Sequence, residues 1–299
     1  MAEGIITTGQ NPSAIATIVA ARALTRLKAA TVAYGIADPS YADEISSHGS
    51  TVNVPIPAEY ISNLLADGGT ITRQQTSLGN AALVLNKHRE ISFEITDRNE
   101  ALARPDIRNT SLGQAIANFA EDVDEDLLGI YAQFATTDVG VANTALTEAV
   151  IDSAETTLFN QRVPDSLRKS LVLTGTGYST VRQLPRFSEA QTIGSGKPIS
   201  DGFVGRIKNC DVYRDQKTNV TSTTTRHGIL MAPPALLVAV RPLGRRATDG
   251  TIQVEMSEDG LSIRLTMSYH HETLGNLSTL DLLYGFISGR TSFGVEVLH

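Results

Sequence analysis

Tryptophan is absent from the 299 residues, and cysteine occurs once, as Cys210. One cysteine excludes an intrachain disulfide and any metal centre built on paired thiolates. In a strand-like apolar run it reads as a buried small hydrophobe, not a reactive thiol. Aromatic residues make up only 5% of the chain; small and β-branched residues take their place, which suits extensive sheet. Charge is sparse too: 19% of residues are charged against 41% hydrophobic, a balance that excludes a disordered chain. Lysine and arginine number 25 against 32 acids, for a formal net charge of −7. With no basic cluster, the chain lacks what grips phosphate backbones. Long apolar runs are missing as well. Ile15–Ala23 is too short to span a membrane. Glu3 before it and Arg26 and Lys28 after it do not make a signal peptide. Folding in a reducing cytoplasm is expected.

Catalytic patterns are equally thin. Gly175-Thr176-Gly177 follows a strand, but the third glycine of a dinucleotide fingerprint is missing and no Gly-Lys-Ser/Thr occurs; an ordinary strand-to-helix turn is expected there. Asp122, Asp124 and Asp126 resemble a metal-binding run. On a helix, however, Asp122 and Asp126 share a face while Asp124 points elsewhere, and the EF-hand pattern is absent. A solvated or subunit-facing acidic patch is the expectation. His270 and His271 fall on opposite faces of a strand, and His48, His88, His227 and His299 are scattered. No Gly-x-Ser-x-Gly elbow exists. The reading is of a chain that is not an enzyme, with no catalytic, cofactor or metal residues to nominate.

What is present is pattern. Pro12 opens an amphipathic helix with Ile15, Ile18, Val19, Leu24 and Leu27, ending near Gly35. Thr51–Tyr60 alternates with period two, and Pro55 and Pro57 confine it to an edge. A polar segment, Ser62–Asn80, leads to a returning strand, Ala82–Thr96, which at full extension would reach roughly 50 Å. Lys87 and Arg89 interrupt its apolar face, so this long hairpin is expected to project and lie on another copy of the chain. Residues 110–136 carry the strongest helix signal: a Ser111/Gln114 capping box, then one apolar stripe from Leu112 through Ile116, Phe119, Val123, Leu127 and Ile130 to Phe134. A second helix fits Thr144–Phe159. Strands follow at Leu171–Thr174 and Phe203–Tyr213, with a loop at Ser188–Asp201 between them. A polar tip at Asp215–Arg226 precedes a buried run at Gly228–Val240. Ile252–Met256 and Leu261–Tyr269 form a second long hairpin around Glu258-Asp259-Gly260. A short helix is expected at Leu277–Ile287 and a closing strand at Ser292–Leu298.

This order of elements resembles the major capsid proteins of tailed bacteriophages, the α+β Hong Kong 97 fold. The two runs Thr51-Val-Asn-Val-Pro55 and Leu85–Asp97 are similar to the arms of the family's E-loop hairpin. Phe119–Leu128 is similar to its spine helix. Gly205–Tyr213 resembles a strand of its axial domain, with Asn209 where glycine is common, and Asp281–Gly285 resembles the stretch before the last strand. The resemblance implies an N-terminal arm (1–48), an E-loop hairpin (49–97), a peripheral domain with the spine helix and long hairpin (98–140 and 241–276), and an axial domain (141–240 and 277–299). It implies a virion protein, assembled in the host cytoplasm, that forms an icosahedral head shell from pentamers and hexamers of itself. That shell would enclose double-stranded DNA without sequence-specific contact, with portal and decoration proteins as further partners. No room for an in-chain scaffold is visible, so a separate scaffolding protein is expected. Candidate subunit-interface residues are Arg73, Lys87, Arg89, Glu121, Asp122 and Glu125. The family's lysine–asparagine cross-link is not expected, because Arg73 is the only cation in Tyr60–Asn80. An encapsulin-type nanocompartment shell is the alternative, and a secreted carbohydrate-binding or lytic protein is a weaker one.

Overall fold

The computed structural model describes residues 12–41, 49–56, 60–75, 79–102, 107–134, 138–184, 206–207, 209–216, 225–245, 251–258 and 260–299. The loop expected at Ser188–Asp201 and most of the Asp215–Arg226 tip lie outside these residues.

The chain opens with helix α1 (Pro12–Ala30) and a single turn, α2 (Ala33–Ile36). Ala20, Ala23, Leu24 and Leu27 of α1 are buried, spaced so that one stripe faces the core; Ile18, expected on that stripe, is exposed. Strand β1 (Thr51–Ile56) pairs antiparallel with β2 (Gly79–Val84) in an isolated two-stranded sheet, as edge prolines require. After two residues the chain resumes as β3 (Lys87–Thr96), then a short α3 (Asp97–Leu102) and the 22-residue α4 (Ile107–Leu128). Helix α4 starts four residues before Ser111, so the expected capping box lies inside the helix. Ile116, Phe119, Val123 and Leu127 are buried along it, and the stripe continues through a 3-10 turn (Gly129–Gln133) to Ile130 and Phe134. Each fully buried leucine or phenylalanine here contributes about 2 kcal/mol.

A six-stranded mixed sheet follows, built from β4 (Val139–Gly140), β5 (Lys169–Thr174), β6 (Arg206–Ile207), β7 (Cys210–Asp215) and β8 (His227–Met231) together with the last strand. Helix α5 (Glu148–Asn160) precedes β5, and α6 (Gly175–Gln183) follows it. All six residues of β5 are buried, the continuous burial of a strand inside a covered sheet. The single strand expected at Phe203–Tyr213 is a tight hairpin instead, β6 and β7. Asn209 turns it at φ 69°, the left-handed conformation that asparagine, after glycine, adopts more readily than most residues. Cys210 is buried, and burial raises its thiol pKa to about 11.

The other large sheet holds β9 (Leu237–Arg241), β10 (Thr251–Glu258), β11 (Leu261–His270) and β12 (Gly275–Ile287), with β3 alongside β12. Gly260, at φ 78°, turns β10 into β11. Strand β12 corrects the helix expected at Leu277–Ile287. Leu277, Leu280, Leu283, Tyr284 and Ile287 have helical spacing, but Leu280, Leu282 and Tyr284 are the buried set, spaced by two. A strand covered on both faces loses its polar alternation, so its apolar run reads equally as helix. The closing β13 (Gly294–Leu298) pairs with β8 and β4. Helix α1 packs on β10, β11 and α4, which joins the helices and the two large sheets around one core.

Candidate assembly surface

The β1–β2 ribbon lies on the body through one face. Val52, Val54, Ala81, Leu83 and Leu85 pack with Leu237 and Ala239 of β9. At Gly285 of β12 the ribbon comes closest: a Cβ there would press into the Val84 carbonyl, with Leu85 Cα at 3.0 Å. Beyond the ribbon, residues 60–75 form no helix or strand. The side chain of Gln74 closes the base of this segment, accepting the Ile61 N–H at 2.9 Å and donating to the Ile61 carbonyl. A turn at Ala66–Gly69 sits within it.

This arm is not polar, as its glycines and serines suggest. Ile61 (72% exposed), Leu64 (102%), Leu65 (55%) and Ile71 (65%) present apolar side chains to solvent. Scattered exposed leucines need no explanation, but four exposed apolar side chains gathered on one short arm make it a candidate contact surface. The signal was in the sequence, in Leu64-Leu65 and Ile71, but it lacks periodicity and so is not read as an element. Arg73 lies exposed on the same arm.

The root of the arm is fastened by charge. Asp126 on α4 receives Arg89 of β3 at 2.8 Å, Lys87 at 3.4 Å and the Tyr284 hydroxyl at 2.5 Å. Arg89 also reaches Asp122 at 3.9 Å. The hydrogen bond that Arg89 donates to Asp126 is the main reason its guanidinium pKa is raised. Burial alone would raise the Asp126 pKa, but Arg89, Tyr284 and Lys87 together hold it below the usual carboxylate range. Burial, and then Asp126, push the Tyr284 phenol up. A second knot lies beside it: buried Asp281 on β12 takes a bidentate contact from Arg264 and a 3.2 Å contact from His88.

Lys87 and Arg89, expected to meet a second copy, find counter-charge on the chain's own α4. The acidic run is not simply solvated: Asp126 is engaged with β3, and Asp124 is buried, accepting backbone N–H groups from Val32 and Ala33. Of the other nominated residues, Glu121 and Asp122 are half-buried and Glu125 is exposed on α4. Asp124, Asp126, Asp281 and Tyr284 escape sequence reading because their partners lie 17 to 193 positions away. The Gly175–Gly177 turn is an ordinary helix start. Thr174 caps it by accepting the Gly177 N–H at 3.1 Å, and the His299 ring lies against Gly177.

Exchanging Asp126 for asparagine should destabilise the chain by about 2 kcal/mol, the scale of a lost charged hydrogen-bond cluster. Arg89 and Lys87 remain 37% and 42% exposed, so solvent screening keeps the loss below that of a buried pair. Because the folded pKa of Asp126 is lowered, its contribution is present above the ordinary aspartate pKa and fades only as pH falls through the lowered value. Urea melts of the two proteins at pH 7 and pH 3 measure this. An unchanged midpoint at pH 7 would remove the cluster from the account of stability.

Among the described residues, no helix is long and apolar enough to cross a membrane, and no group of three or more His, Cys, Asp or Glu is placed to hold a metal ion. No family model and no curated protein matches the sequence. Solved structures do match. One from Mycobacterium phage Che8 superposes with a TM-score of 0.66 at 14% identity, covering 89% of this chain and 90% of its own. The capsid of Cyanophage P-SCSP1u gives 0.59 at 14%, covering 84% of each chain. The mature capsid of bacteriophage PhiM1 gives 0.60 at 9%, covering 89% and 86%. Across nearly its whole length, therefore, the chain has the fold of the phage capsid subunit.

Proposed function

We propose that the chain is the major capsid protein of a bacteriophage head, a structural and non-enzymatic subunit that assembles with copies of itself into the shell around the genome. The observation that carries this reading is the exposed apolar arm, 60–75, on a fold shared with phage capsid subunits. A subunit with such an arm is incomplete alone. Laid across a neighbour, the arm repeats one contact around a ring, and many weak contacts sum through multivalency. The same likeness favours a phage head over an encapsulin-type compartment.

Within this reading, residues 1–48 form the N-terminal arm and 49–97 the extended arm. Residues 98–140 and 241–276 form the peripheral domain, and 141–240 and 277–299 the axial domain. Strand β12 crosses the last boundary, so the domains share a strand. Arg73 is placed to meet the acidic face of a neighbour's α4, at Glu121, Asp122 or Glu125. An exposed pair adds only about 0–1 kcal/mol, but it recurs at every contact. Assembly with a separate scaffolding protein, a portal, enclosed DNA and a decoration protein belongs to the same proposal, as do pentamers and hexamers in the virion.

The full chain, concentrated and examined by sedimentation and negative-stain microscopy, should form megadalton sheets, tubes or irregular shells. Boiling these in detergent should release one band near 32.0 kDa, since residues 60–75 carry no lysine. A chain that stays monomeric at high concentration in every salt condition overturns the reading. Uniform closed shells from the chain alone would shift it to the compartment and remove the scaffold.

A further inference from the structure

A cleft of about 330 Å³ opens where the root of the ribbon meets the body, a size at the lower end of clefts that seat ligands. Val54 and Ile56 line it from β1, Leu237 from β9, Phe293 from the 3-10 turn before β13, and Tyr41 from the segment after α2. Arg290 is the one charged residue of this lining. Its guanidinium carbon stands 5.3 Å from the Phe293 ring centroid, a cation–π contact that holds the charge beside the apolar wall. Val54, Leu237 and Phe293 are buried, while Tyr41, Ile56 and Arg290 are half-buried and reach solvent at the mouth. The arm has the matching composition. In residues 60–75 the pair Leu64-Leu65 is followed by Asp67, the only acid of that segment, and all three are exposed. Leu64 is 102% exposed, so the arm does not enter the cleft of its own chain. Neither Asp67 nor Arg290 makes an ion pair among the described residues.

We propose that this cleft seats the arm of a second copy, with Leu64 and Leu65 in the cleft and Asp67 against Arg290. The proposal rests on the capsid reading and deepens it, by naming where on the neighbour the arm lands. An apolar pair followed by an acid meets an apolar cleft edged by a single cation. The charge pairing fixes the register, because an arm shifted along the cleft would leave Arg290 facing leucine. The two contacting surfaces differ, the arm of one subunit and the arm's root on the next. The contact is therefore heterologous: it repeats head to tail, and closes into a ring where the rotation closes. Each ribbon root is then covered by the neighbour's arm, so the ribbon of every subunit is held from both sides, by its own β9 below and by the next chain above. Arg73 remains available to the acidic face of α4.

The test uses the full chain under conditions in which wild type assembles, read by sedimentation. Arg290→Asp and Asp67→Arg should each raise the protein concentration needed for assembly by at least about tenfold. Combining them should bring it back toward wild type, a recovery that a folding defect cannot produce. Leu64→p-benzoylphenylalanine, a photo-crosslinking side chain, gives a reading that leaves both charges in place. In mixtures of nitrogen-15-labelled and unlabelled subunits, its links should fall on Tyr41, Ile56 or residues 289–293 and should join labelled to unlabelled chains. Single charge exchanges without effect, a double variant no better than either single, or links that fall elsewhere or stay within one chain each overturn the seat. These outcomes leave the capsid reading standing so long as wild type still assembles, whereas a wild type that never assembles overturns both.

Discussion

Serine at positions 61, 64, 65 and 71 should leave the chain folded and abolish its assembly. Ile61, Leu64, Leu65 and Ile71 are exposed in the single chain, so replacing them removes nothing from its core. The melting temperature should stay within a degree or two of wild type. Covered by a neighbour, each would bury apolar surface worth about 2 kcal/mol, and the loss recurs at each contact of a closed shell. Size-exclusion chromatography and microscopy would show subunits or small oligomers in place of megadalton assemblies. A quadruple variant that still assembles normally would take the arm out of the interface. Excising the arm is a coarser form of the same test. The cut must stop at Gln75, because Gly79 and Asn80 belong to β2 and pair with Ile56 and Pro55.

Gly285→Ala should be the most disruptive single exchange at the root of the arm. An added methyl would drive into the Val84 carbonyl and stand 2.8 Å from the Val84 carbonyl carbon and 3.0 Å from Leu85 Cα. All of these are backbone atoms, which cannot rotate away as a side chain would. Overpacking commonly costs about 1–3 kcal/mol, and the ribbon must lift from β12 here to relieve it. The expected outcome is a loss of at least about 3 kcal/mol, or a folded protein whose ribbon has lifted from β9 and β12. Chemical denaturation gives the first. Faster hydrogen exchange at Ala81–Leu85, with β10 and β11 unchanged, reports the second. A variant with wild-type stability and exchange would mean that the ribbon does not lie on β12 as described.

Much of this architecture is legible where one physical rule dominates. The α4 stripe is continuous because one helix face is buried throughout, and Pro55 announces an edge because it cannot donate to a ladder. Reading fails where burial on both faces erases alternation, as in β12, and where the decisive partner is distant in sequence. Asp126 looks like any surface acid until Arg89 and Tyr284 are brought to it. The arm is misjudged for a third reason: its glycines describe the backbone correctly, while Leu64, Leu65 and Ile71, which have no periodicity, stand exposed on it. Asn209 shows the opposite, a residue that fits its left-handed turn although the resembling family commonly has glycine there.

The passage from β2 to β3 across only Leu85 and Asn86 has a mechanical consequence. Between β2 and β3 there is no room for a separate hinge. Its return strand runs almost without interruption into β3, which is laced to β12 over ten register positions, Lys87 to Tyr284 through Thr96 to Gly275. Tension applied along the arm is therefore delivered along the axis of β3, loading those rungs in shear and together, whereas a transverse pull would open them one after another like a zipper. The root should resist stretching far better than peeling, and strain entering through the arm is carried into the five-stranded sheet and, through Arg89, into α4.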